Sequence, residues 1–140
     1  MNERVIDPFW QFHHLGVACR DIEKDFAVWA DLGYEREGEV FADQTQGIRG
    51  LFLHGAGPRL ELLEDLPGRN TVAPWLEKGA RICHSAYEVP NLDVDLKRLT
   101  ARRARIVVEP VPAVAFGNRK ICFLMLRNFS LIELIESEAR

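Results

Sequence analysis

Apolar residues along the chain fall into short alternating runs, interrupted twice by a stretch of helical period. Residues 12–19 read as a strand. Asp21 can cap a helix. Ile22, Phe26 and Trp29 lie at i, i+4 and i+7 on one face of it, and Gly33 marks its end. Residues 38–41, 47–54 and 59–64 read as strands, with Gly55-Ala56-Gly57-Pro58 as the turn between the last two. The same succession then returns. Residues 83–89 form a strand, Asn91 caps a helix, and Leu92, Leu96 and Leu99 share a face. Residues 106–109, 119–126 and 131–136 are strands, with Arg127-Asn128-Phe129-Ser130 as the last turn. Residues 67–80 contain Pro67, Gly68, Pro74 and Gly79. They read as a linker with a short helix around residues 71–78.

The two successions are an internal repeat. His14-Leu15-Gly16-Val17-Ala18 matches His84-Ser85-Ala86-Tyr87-Glu88 at an offset of 70. Asp21, Ile22, Asp25 and Phe26 match Asn91, Leu92, Asp95 and Leu96 at the same offset. Leu60-Glu61-Leu62-Leu63-Glu64 matches Ile132-Glu133-Leu134-Ile135-Glu136 at 72, so the second half gained two loop residues. Each half is βαβββ. One such unit cannot cover both faces of its own sheet. The pattern therefore predicts an α+β fold: two βαβββ modules related by pseudo-twofold symmetry, forming an eight-stranded curved sheet around a metal site. The modules are expected at about residues 9–66 and 81–137, joined by the linker 67–80, within one domain of 140 residues.

Composition narrows the function classes. The chain is 47% hydrophobic and 28% charged, ordinary for a globular domain and unlike a disordered one. Its net charge of −3 argues against a nucleic-acid binder, which needs clustered Lys and Arg. No apolar run approaches the ~18 residues of a membrane span, and residues 1–10 lack the apolar stretch of a signal peptide. Cys19, Cys83 and Cys122 are odd in number, widely spaced and without a CxxC. They read as half-buried thiols of a reducing cytoplasm rather than as a disulfide framework.

Four residues combine the repeat with chemistry: His14, Glu61, His84 and Glu133. Residues two apart on a strand share a face. Leu60 and Leu62 thus point away from Glu61, and Ile132 and Leu134 away from Glu133. An acid among aliphatics is costly to bury unless something pairs it. One divalent metal ion can do so. Two imidazoles and two carboxylates suit Zn, Ni, Co, Mn or Fe(II), with positions left for water or substrate. His13 falls on the opposite face and His54 at a strand end; neither has a repeat mate, and both read as non-ligands.

These residues, with Gln46-Gly47, Thr71-Val72-Ala73-Pro74-Trp75-Leu76 and Gly117-Asn118-Arg119, make the chain resemble the vicinal oxygen chelate superfamily over residues 12–136. That superfamily includes glyoxalase I, methylmalonyl-CoA epimerases, extradiol dioxygenases and bleomycin-resistance-type binding proteins, and the likeness is greatest to the epimerases. The resemblance implies that His14, Glu61, His84 and Glu133 bind one metal. In glyoxalase I-like members the ligand carboxylates themselves move the proton, which gives Glu61 and Glu133 catalytic roles here. The chain departs from the epimerases in two places. They often carry glutamine where Glu61 stands, and they carry a catalytic glutamate where this chain has Gly50. Epimerisation needs acid/base groups on both sides of a carbon, and glycine supplies none.

The expected function is a metal-dependent isomerase, epimerase or lyase that acts through an enolate on a small carbonyl or acyl-thioester substrate. Two other classes fit the fold. One is a small-molecule binding protein of the bleomycin-resistance kind, which would lack the four-ligand set. The other is an extradiol dioxygenase, whose two-His, one-carboxylate iron site would be crowded by Glu61. Arg49, Asn118 and Arg119 are candidates for contact with an anionic substrate group. Lys97, Arg98, Arg102, Arg103 and Arg105 read as a solvated helix face. A homodimer that exchanges halves would have the same sequence as a monomer that pairs its own.

Overall fold

The computed structural model describes residues 5–138. Residues 1–4, which carry part of the expectation about a leader, lie outside it. The order of elements is β1 (Gln11–Ala18), α1 (Ile22–Ala30), β2 (Glu35–Asp43), β3 (Ile48–His54), β4 (Leu60–Asp65), α2 (Ala73–Glu77), β5 (Ile82–Val89), α3 (Leu92–Thr100), β6 (Arg105–Pro112), β7 (Lys120–Met125) and β8 (Leu131–Glu136). A single 3-10 turn, Val114–Phe116, lies between β6 and β7. Among the described residues no helix is long and apolar enough to cross a membrane. The described residues form two compact units, His14–Cys83 and residues 5–13 with 84–138.

In the unit His14–Cys83 the strands lie in the order β2-β3-β4-β1. β1 runs parallel to β4, and the other neighbours are antiparallel. Asp21 caps α1 by accepting from the Lys24 backbone N–H at 3.1 Å. The apolar face that Ile22 begins then settles on the sheet. Val17, Leu51, Leu53, Leu60 and Leu62 are buried beneath it, with Phe26 and Trp29 packed against them. Each fully buried leucine contributes about 1.5–3 kcal/mol by leaving water. α2 carries no side-chain cap of its own. The Asp65 carboxylate at the end of β4 accepts instead, from the N–H groups of Thr71, Val72 and Ala73 at 2.7–3.0 Å. This helix covers the other sheet face, where Val72, Trp75 and Leu76 meet Ala18, Ile48 and Leu63.

The second unit repeats the plan in the order β5-β8-β7-β6, with β5 parallel to β8. Asn91 caps α3 by accepting from the Val94 N–H at 3.2 Å. Leu92 and Leu96 are buried over Val89, Cys122, Leu124, Ile132 and Leu134. Trp10, from the segment ahead of β1, donates its indole N–H to the buried Asp95 carboxylate on α3 at 2.8 Å and packs on Tyr87.

The strands β2 and β6 are longer than the pattern predicts. β2 runs through Glu35 to Gly38, all exposed, so no hydrophobic alternation announces it. Its partner β3 defines it, and the pairing contains a bulge. Glu37 faces Phe52 and Phe41 faces Gly50, so four steps on β2 match two on β3.

All three cysteines are buried and none forms a disulfide, a deeper placement than the half-burial read from composition. Burial pushes the Cys19 and Cys122 thiols up to about 12. At pH 8 their thiolate fraction is then about 10⁻⁴, a thousandfold below that of a thiol at 9. Iodoacetamide at pH 8 followed by peptide mass spectrometry should leave Cys19 and Cys122 unmodified in the native protein. Both should become modified once guanidinium unfolds it.

Candidate metal centre

The two parallel pairs, β1 with β4 and β5 with β8, have the same register. Gly16 lies opposite Glu61, and Ala86 lies opposite Glu133. His14 stands two residues before Gly16, and His84 two before Ala86, so each histidine shares a face with its glutamate. Small residues at 16 and 86 leave the space between imidazole and carboxylate free of side chain. His14 Nε2 lies 3.1 Å from Glu61 Oε1, and His84 Nε2 lies 3.2 Å from Glu133 Oε1. All four residues are buried: His14 at 0% exposure, Glu61 at 6%, His84 at 5% and Glu133 at 2%.

This burial decides what the pairs can be. An exposed His–Glu contact is worth little and needs no function. A buried carboxylate keeps its charge only against a partner that compensates lost hydration. Imidazole nitrogen beside carboxylate oxygen is also a donor pair of the kind that binds first-row divalent metals. The side chains present therefore fit a divalent cation, by the chemistry of the donors and by their burial.

Each imidazole meets the edge of a phenylalanine from the neighbouring strand. Phe52 lies 5.3 Å from His14 at 74°, and Phe123 lies 5.1 Å from His84 at 88°. Phe52 faces Glu61 in register, and Phe123 faces Glu133. These two residues escaped the reading of the sequence. The signal was available: Phe52 and Phe123 occupy equivalent places on the third strand of each half, at an offset of 71.

His13 is half-buried and edge-on to Phe116 at 5.2 Å. His54 is exposed, with Nε2 3.8 Å from Glu35 Oε2. Arg49 is exposed and faces Glu64 in register, on the side of its strand opposite Gly50. Burial pushes the Glu64 carboxyl up, and Arg49 pulls it part of the way back. Asn118 is exposed, in left-handed backbone at φ 66°. Arg119 is half-buried. Its Nη1 donates to Glu88 Oε2 at 3.1 Å and to the Glu136 carbonyl at 2.9 Å. Lys97, Arg98, Arg102, Arg103 and Arg105 are all exposed.

The chain is thus a doubled βαβββ fold that carries a buried His–Glu pair in each copy. The family model described as the glyoxalase/bleomycin resistance protein/dioxygenase superfamily matches residues 13–123, and the chain belongs to that superfamily. It is 27% identical over 116 residues to the mitochondrial methylmalonyl-CoA epimerase of Bos taurus, a match that covers 79% of this chain and 66% of that protein. It is 25% identical over 128 residues to an ethylmalonyl-CoA/methylmalonyl-CoA epimerase of Cereibacter sphaeroides, covering 89% of this chain and 96% of that one. The crystal structure of methylmalonyl-CoA epimerase from Mycobacterium tuberculosis superimposes with a TM-score of 0.77 at 27% identity, over 92% of this chain and 89% of the other. The fold is thus the one this superfamily shares.

Filling the space opposite Glu133 should be costly. Ala86→Leu places three more heavy atoms where exposure is 0%. It is expected to lower stability by about 1–3 kcal/mol, read as a fall in calorimetric melting temperature.

Proposed function

We propose that the chain is a metal-dependent enzyme of the epimerase and isomerase branch of its superfamily, acting on a small carbonyl or acyl-thioester substrate. His14, Glu61, His84 and Glu133 bind one divalent cation, drawn from Zn, Ni, Co, Mn and Fe. Each half contributes one imidazole and one carboxylate. The observation that carries this reading is that the buried His–Glu pair occurs twice, at the same register, at 3.1 Å and 3.2 Å. Kinship to enzymes named as acyl-CoA epimerases supports the substrate class.

The cation, when bound, supplies Lewis-acid polarisation of vicinal substrate oxygens. The chain's own side chains do the rest. His14 and His84 are buried and held edge-on by Phe52 and Phe123, so they fix the geometry. Glu61 and Glu133 take a proton from the carbon beside the carbonyl and return it. A carboxylate is a competent base for this only near a group that stabilises the resulting enolate. Glu61 and Glu133 are themselves buried, at 6% and 2% exposure, which limits competition from bulk water for the proton. Asn118, exposed, and Arg119 remain candidates for an anionic part of the substrate, whereas Arg49 projects from the strand face opposite Gly50 and Phe52, away from the His14–Glu61 pair.

Purified protein reconstituted with Co, Ni, Zn or Mn should retain one ion per chain by elemental analysis. His14→Ala and His84→Ala should each weaken that binding by at least about 100-fold. The metal-loaded protein should exchange the α-proton of an acyl-CoA thioester with deuterated solvent, followed by mass spectrometry. Glu133→Gln should slow that exchange by about 10²–10⁴-fold. A pure binding protein would instead keep its ligand affinity in Glu133→Gln and show no exchange in either form.

A further inference from the structure

Beside the His14–Glu61 pair, the face of the sheet is aromatic. Gly50 stands on β3 between Phe41 of β2 and Leu63 of β4, and two residues from Phe52. A β-carbon on Gly50 would lie 2.3 Å from Phe41 Cζ, with the ring's Cε1 and Cε2 at 2.8 and 2.9 Å. The Phe41 ring therefore lies across the glycine, in the space any side chain at position 50 would need. The bulge in β2 places it there, because without the two additional residues a different side chain would face Gly50. The ring continues onto Phe52, stacked at 5.9 Å and 29°, and Phe52 in turn abuts His14. Both phenylalanines are half-buried, and Phe41 also packs against the cluster of Ala18, Ile48, Leu63 and Val72.

We propose that Phe41 is a specificity-determining residue of this site, and that it selects a substrate whose group next to the chelating oxygens is aryl rather than carboxylate or methyl. The inference rests on the metal reading above. Its own basis is the wall of Phe41 and Phe52 on the face that bears His14 and Glu61. A carboxylate there would lose hydration against two rings and gain no cation from them. A planar apolar group would stack on them. The same ring closes the position-50 side of the sheet to an acid/base group. Proton transfer is then left to the glutamates of the two pairs.

The test uses two small chelating 2-keto acids, benzoylformate and pyruvate, which differ in carrying phenyl or methyl. Wild-type protein loaded with Co(II) is titrated with each by calorimetry, after metal analysis of the same sample. Benzoylformate should bind at least about tenfold tighter than pyruvate. Phe41→Ala should weaken benzoylformate by about tenfold and leave pyruvate within about twofold. Phe41→Leu, which retains apolar volume without the ring, should fall between and covers the case in which the alanine variant does not fold. Equal affinity for the two acids in the wild type, or an equal loss of both in Phe41→Ala, overturns the proposal while cobalt retention leaves the metal reading standing. Failure to retain cobalt overturns both. A second readout needs neither metal nor ligand. Gly50→Ala should lower the melting temperature in the wild type and have a smaller effect in the Phe41→Ala background. The same fall in both would mean that the ring does not lie over residue 50.

Discussion

A carboxylate on an inner strand, flanked along the chain by buried aliphatics, must be matched on the one face left to it. Glu61 sits between Leu60 and Leu62, and Glu133 between Ile132 and Leu134, all of them buried. An unpartnered ion in such a place costs several kcal/mol. The histidine is therefore tied to a single location, the adjacent parallel strand, two residues before the position that faces the acid. His14 and His84 both stand there. Small residues, Gly16 and Ala86, face the glutamates across the strands, and a phenylalanine edge lies against each imidazole. A buried pair of this kind is a poor way to stabilise a sheet and a good way to hold donors for a cation.

Duplication extends this constraint through both cores. Ile22, Leu60 and Leu62 of one half correspond to Leu92, Ile132 and Leu134 of the other, and all six are buried under their helices. Asp21 and Asn91 cap those helices by the same contact, side-chain oxygen to a backbone N–H three residues on. Where the halves differ, the difference has a visible consequence. The linker supplies α2, which covers the Leu63 side of one sheet through Val72, Trp75 and Leu76. The segment ahead of β1 supplies Trp10, which donates to Oδ2 of the buried Asp95 in the other unit.

The Phe41–Gly50 contact shows how a missing side chain becomes a surface. Glycine costs a strand conformational entropy and packing. Here the open space is filled by a ring delivered from the next strand by a bulge, so the cost is offset across the pleat rather than within the residue. The face of the sheet beside the His14–Glu61 pair is apolar at that position.

Most of the plan was legible in the order of residues alone. The 70-residue repeat, the two helix caps, the two βαβββ units and the two His–Glu pairs all rest on local periods, strand alternation and helix spacing, which the backbone enforces wherever they occur. The outer strands were not legible to their full length, because β2 is exposed from Glu35 through Val40 and takes its shape from β3. The aromatic contacts were not legible either. Phe52 is one of several apolar residues on its strand, and only pairing in register against Glu61 gives it a place beside His14. Gly50 read as the absence of a base, and only the bulge that sets Phe41 over it decided what stands there instead. Identity and period determine which face a residue takes; which partner meets it across the sheet depends on register between distant segments, and register belongs to the folded chain.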